Sequence, residues 1–101
     1  MDLVDVRPLG AGLHNTRTST LVKTDQLELI RLVLPEGKAI AEHAVEGEIT
    51  VQCLEGSVEF RSNDVTRVLA PGQLVYLRGG SKHSLLAVAD ASLLITILLN
   101  H

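Results

Sequence analysis

The feature that most constrains this chain is the spacing of its turns. From Ser19 onward, turn-forming residues interrupt it about every eight to twelve positions. The interruptions are Thr24-Asp25-Gln26, Pro35-Glu36-Gly37, Glu46-Gly47, Glu55-Gly56, Ser62-Asn63-Asp64, Pro71-Gly72, Gly79-Gly80 and Asp90. The intervals are short for helices and rich in β-branched and aliphatic residues, which fit a pleated surface. Glu48 to Leu54 alternates cleanly, with Ile49, Val51 and Cys53 on one face and Glu48, Thr50 and Gln52 on the other. Strands are expected over 20–23, 27–34, 38–43, 48–54, 58–61, 65–69, 74–77, 84–88 and 92–99, with a hairpin tip at Ser62-Asn63-Asp64. That rhythm belongs to an all-β sandwich or barrel.

The 101 residues fit one domain, and 46% hydrophobic content is enough for a core without disulfide or metal staples. With 9 basic and 12 acidic residues and no basic run, nucleic acid is not an expected partner. Cys53 is the single cysteine, so an intrachain disulfide and a cysteine-rich zinc site are excluded. Met1 to Val6 has neither the basic region nor the apolar run of a signal peptide, and no stretch reaches about 18 apolar residues. The expected setting is therefore the cytoplasm, away from membranes. Phe60 and Tyr76 are the only aromatics, which argues against sugars and flat rings as ligands.

Two strands are apolar on both faces. Leu27, Leu29 and Val33 alternate with Ile30, Leu32 and Leu34, and Ser92 to Leu99 is interrupted only by Ser92 and Thr96. A one-sided sheet does not need this, so either a homodimer, with a partner subunit covering the second face, or a strand buried between sheets is expected. Leu3 to Arg7 reads as a short edge strand closed by Pro8, and Gly10 to Thr16 as a loop in which His14 is solvated.

The stretch from Gly37 to His83 carries the chemistry. Gly37 is followed five residues later by His43, and Gly56 closes the strand beyond it. Gly72, Gly80 and His83 repeat the arrangement. These spacings resemble the two conserved motifs of the cupin superfamily, with the first at 37–56 and the second at 72–87 of a single domain spanning 1–101. The resemblance implies a double-stranded β-helix, or jelly-roll, barrel that is commonly dimeric. It also implies a divalent metal (Zn, Ni, Fe or Mn) held by three histidines and a glutamate.

Only two of those four ligand positions are kept, His43 and His83. Val45 stands at the second-histidine position and Ile49 at the glutamate position, while Arg78 replaces the proline and Ala87 the final asparagine of the second motif. Glu48 is one residue from the glutamate slot and is expected on the opposite face. Cys53 shares the Ile49 face and is either a thiolate donor or a small buried hydrophobe. Tyr76 precedes the His83 turn and faces either the core or the pocket. Arg78 is either a carboxylate- or phosphate-binding group or an exposed rim residue.

Two neutral imidazoles are a poor metal set, because catalytic zinc takes three protein ligands and non-haem iron takes two histidines with a carboxylate. The expected function is binding of a small molecule in a mostly apolar pocket near His43 and His83, with a weakly held metal as a variant. The alternatives are a metal-dependent enzyme of dioxygenase or isomerase type and a homodimeric sensor or interaction module.

Overall fold

The computed structural model describes residues 1–99. It contains a 3-10 helix, Gly10–Asn15, and nine strands: β1 Ser19–Lys23, β2 Leu27–Leu34, β3 Ala39–His43, β4 Ile49–Glu55, β5 Val58–Ser62, β6 Val65–Leu69, β7 Leu74–Leu77, β8 His83–Ala87 and β9 Ala91–Leu98. All pairings are antiparallel. They form a five-stranded sheet, β1-β2-β9-β4-β7, and a four-stranded sheet, β3-β8-β5-β6. The all-β expectation holds, and the expected strands from β1 onward are present with shifts of a residue or two at their ends.

The turns form where the residue types allow. Asn63 and Asp64 at the β5–β6 tip both take positive φ, 53° and 63°, a region that Asn and Asp tolerate better than other side chains. Gly56 has φ of 76°, and a Cβ there would lie 2.0 Å from the Asp90 carbonyl oxygen. Its lack of a side chain lets the β4–β5 turn close against the β8–β9 turn.

The core lies between the sheets. Ile49, Val51, Cys53, Leu34 and Leu93 from the larger sheet meet Val58, Phe60, Leu85 and Ala87 from the smaller. Strand parity fixes these assignments: Ile49 pairs with Leu77 and Ile97, and Val51 with Val75 and Ile95, so all six share the inner face.

The N-terminal segment departs from the sequence expectation. Leu3 to Arg7 forms no strand, and Gly10–Asn15 is a 3-10 helix with Leu13 buried. The segment is anchored over one end of the larger sheet's outer face. Glu55 accepts the backbone N–H of Leu9 at 2.8 Å and of Gly10 at 3.0 Å, and it also accepts the Ser92 hydroxyl. Arg31, only 6% exposed, donates Nη2 to the Arg7 carbonyl at 2.5 Å and to Ser92 Oγ at 3.1 Å, and lies 3.4 Å from Glu55 Oε2. The chain thus covers part of the apolar second face of β2 and β9 with its own N-terminal segment. His14 is engaged as well: its Nε2 lies 2.6 Å from Asp90 Oδ2, and Asp90 Oδ1 accepts the N–H of Glu36. His14 is exposed, as expected, but it has a partner that the sequence did not suggest, Asp90, which links the 3-10 helix to two turns.

Candidate functional site

His43 ends β3 and His83 begins β8, and the two are direct register partners. The register slips between Ile40 and His43. Ile40 pairs with Leu85 on the inner face, and strict alternation would next turn Glu42 inward. The extra residue turns His43 inward instead, as bulges do. Glu42 remains exposed. The loop before His83 is held against the turn after His43. The Gly80 N–H donates to the Val45 carbonyl at 2.7 Å, and a Cβ on Gly79 would sit 2.0 Å from the Glu46 carbonyl oxygen. The glycine pair therefore permits the close approach that brings the histidines together.

The imidazole centroids are 4.4 Å apart with planes tilted by 55°. His83 is 2% exposed and stacks on Phe60, 5.6 Å between centroids and 10° between planes. His43 is exposed, at the mouth. Each ring is oriented by its own backbone: Nδ1 of His43 lies 3.0 Å from the Ala41 carbonyl oxygen, and Nδ1 of His83 lies 3.0 Å from that of Ser81. A carbonyl oxygen only accepts, so in the neutral ring the proton sits on Nδ1 and the lone pair on Nε2. Burial pushes the His83 pKa down; the Ser81 carbonyl opposes this, and His43 lowers it further.

The two rings line a cavity of about 240 Å³ between the sheets. Its walls are aliphatic: Val45 and Ile49 beside the imidazoles, with Ile30, Leu32, Ile95 and Ile97 from the central strands of the larger sheet. Among the described residues, no Asp, Glu, Lys or Arg lines it. Sequence reasoning named Val45 and Ile49 but missed the β2 and β9 contributions. Their signal is that both faces of those strands are apolar, which the sequence reading takes to mean a homodimer or a strand buried between sheets.

The other pocket candidates lie elsewhere. Tyr76 pairs with Thr50 on the outer face of the larger sheet and donates its hydroxyl to Glu48 at 2.5 Å. That hydrogen bond is the leading reason its pKa is raised. Glu48 is thus directed away from the cavity, as the alternation requires. Arg78 is exposed beyond the end of β7 and is not among the cavity's lining residues. Cys53 is on the inner face but farther along β4, where its Sγ donates to the carbonyls of Glu55 at 3.4 Å and Gly56 at 3.7 Å. Burial pushes its pKa up, with the nearby Glu55 charge adding to this and the hydrogen bond to Glu55 opposing it. It is a buried thiol rather than a thiolate donor.

No protein-family model matches the chain, and no curated protein does. Solved structures do. A cupin superfamily protein from Desulfitobacterium hafniense superposes with a TM-score of 0.82 at 16% identity, covering 99% of this chain and 97% of that one. The chain has the cupin fold. An RmlC-like cupin from Methanocaldococcus jannaschii, described as a double-stranded β-helix, gives 0.74 at 17% identity over 80% and 77% of the two chains. A conserved Streptococcus pyogenes protein of unknown function gives 0.77 at 27% identity, covering 83% of this chain and 74% of that one.

The metal that the cupin resemblance implies can be tested against the donors present. Val45 and Ile49, at two of the four ligand positions, present aliphatic side chains to the cavity beside the imidazoles. Among the described residues, no three His, Cys, Asp or Glu side chains come together as a metal cluster. Two neutral nitrogens bring no negative charge and fall short of the usual three protein ligands. The residues do not fit a tightly held divalent metal.

Proposed function

We propose that this cupin domain is a binding module for a small, largely aliphatic molecule, held in the barrel with His43 and His83 at its polar end. The observation that carries the reading is the cavity itself: aliphatic walls, two oriented imidazoles and no charged group among the described lining residues. Small-molecule sites have this composition, apolar walls with a few placed polar groups. The volume lies below the roughly 300–1,000 Å³ of sites for drug-sized ligands, so the occupant is small. A metal-dependent dioxygenase or isomerase would need charge and further donors where Val45 and Ile49 stand. A cation bound by the two Nε2 atoms alone, completed by water, would be held weakly. Titrating short aliphatic compounds against methyl-labelled protein tests the reading. Saturable shifts of the Ile30, Ile49 and Ile95 methyls support it. Silence at all three, or shifts only on adding divalent metal, refutes it.

Self-association is a second reading, and one observation favours it. Beyond the part covered by the N-terminal segment, the outer face of the larger sheet presents Leu29, Thr96, Thr50 and Tyr76 in one cross-strand row and Leu94, Gln52 and Leu74 in the next. Leu74 and Tyr76 are more than half exposed. The second row ends on Arg31, which is buried under the N-terminal segment, and Glu48 borders the first row beside Tyr76; the positions named between them carry no charge, so two copies can meet there across a two-fold axis. Strand spacings of about 4.8 Å and 3.3 Å per residue give these seven positions roughly 220 Å² before side-chain relief. That is well below the about 800 Å² per partner of standard interfaces, so a dimer across this face would also need the flanking loops.

A further inference from the structure

Resting on the reading of the cavity as a binding site, the hydrogen bonds at its polar end select among ligand head groups. Both rings spend their Nδ1–H on a backbone carbonyl, at 3.0 Å in each case. Among the described residues neither Nε2 has a hydrogen-bond partner. The cavity's polar end therefore offers two acceptors within one ring-to-ring distance of 4.4 Å. Thr18, the one other polar side chain in the described lining, accepts the Val33 N–H at 2.9 Å and keeps its O–H as a donor, so the acceptor character of the polar end belongs to the imidazoles.

A carboxylate or phosphate placed there would set acceptor against acceptor. At the imidazoles an anion would find a donor only on protonated rings, and His83 is 2% exposed against Phe60 with no carboxylate in the described lining to offset a charge there. An ammonium group would donate, but the described lining contains no carboxylate to offset its charge, and an unpaired buried charge is expensive. The head group that satisfies both nitrogens without importing charge is a neutral donor.

We propose that the site takes short aliphatic molecules ending in an uncharged hydrogen-bond donor, a primary amide or alcohol, and discriminates against the corresponding acids. With about 30 Å³ per water-sized unit, 240 Å³ accommodates a molecule of about eight non-hydrogen atoms. Hexanamide and hexanoate are then near-isosteric probes that differ in head group.

The experiment is calorimetric and NMR titration at pH 8 in chelator-treated buffer, with hexanamide, 1-hexanol, hexylammonium and hexanoate as probes. Hexanamide and 1-hexanol are expected to bind at least tenfold tighter than hexanoate and hexylammonium. His83→Phe keeps the ring volume against Phe60 and is expected to erase the tenfold preference while retaining binding of the alkyl chain. His43→Phe, at the exposed mouth, gives the same test should His83→Phe fail to fold. Long-range nitrogen–proton spectra of the imidazoles are expected to show the proton on Nδ1 in both rings. Hexanoate binding as tightly as hexanamide, or protons on Nε2, overturns this inference while leaving the cavity reading intact. Failure of all four probes to bind overturns the cavity reading and the inference with it.

Discussion

Replacing Glu55 by glutamine tests how the N-terminal segment is held to the barrel. In the folded chain the Glu55 carboxylate accepts two backbone N–H groups and the Ser92 hydroxyl, and faces the Arg31 guanidinium. Burial pushes its pKa up, but the Leu9 N–H, the Ser92 hydroxyl, the Gly10 N–H and Arg31 outweigh this and leave it below the usual carboxylate range. In Glu55→Gln the new side-chain amide would remove the counter-charge that buried Arg31 faces and present N–H donors where the carboxylate accepted. Breaking a buried pair from one side costs about 3–5 kcal/mol. Arg31 keeps the Arg7 carbonyl and Ser92 Oγ as acceptors, so the low end, about 3 kcal/mol, is expected. For a domain of this size that lowers Tm by about 12–24 °C. Thermal and urea unfolding followed by circular dichroism measure it, and amide exchange at Leu9 and Gly10 is expected to accelerate more than exchange in β4. A double-mutant cycle with Arg31→Met is expected to show at least about 1 kcal/mol of coupling. A Tm drop below about 4 °C, with unchanged exchange at Leu9 and Gly10, would mean that the cluster behaves as a surface ion pair, and the proposed anchoring would be wrong.

Further outcomes follow from the same geometry. The folded pKa of His83 lies below its unfolded value of 6.5, so the stability contributed by the neutral ring is fully present above about pH 6.5 and declines as pH falls toward the folded pKa, by at most about 1.4 kcal/mol per pH unit. His83→Phe should flatten that part of the stability profile, and an unchanged slope in urea titrations between about pH 7 and 5 would contradict it. Restoring charge and nitrogen with Val45→His and Ile49→Glu should raise metal content after zinc or nickel loading from a small fraction to about one ion per chain, with the metal-free variant destabilised by several kcal/mol through the buried carboxylate. Leu94→Glu on the outer sheet face should leave sedimentation at micromolar concentration monomeric. If the parent chain is itself monomeric there, the self-association reading fails.

The strands and their facing were legible because turn chemistry and alternation are local. The Asn63-Asp64 tip, the Gly56 turn and the Ile49-Val51-Cys53 face can all be read from a few adjacent residues. Depth along a strand was not legible. Cys53 shares a face with Ile49 but lies too far along β4 to reach the cavity, and only the register with β9 and β7 reveals that. Tyr76 stays open in the sequence because a four-residue strand gives little parity; its pairing with Thr50 decides the matter. The N-terminal segment defeats local reading for a related reason. Its conformation depends on Glu55, 45 and 46 residues away in sequence, and no local pattern announces such an anchor. The two apolar faces of β2 therefore point to another subunit or to burial between sheets when read from sequence; the chain covers part of one face and the other lines the cavity.

The most direct test of the account is the metal content of chain expressed and purified without added metal or chelator, measured by plasma mass spectrometry and repeated after equilibration with zinc, nickel, iron and manganese. The account predicts far less than one ion per chain as purified, and any loaded ion removed by dialysis, because two uncharged Nε2 atoms in an aliphatic cavity are the donors available. A tightly held divalent ion at one per chain, lost on His43→Ala or His83→Ala, would contradict it.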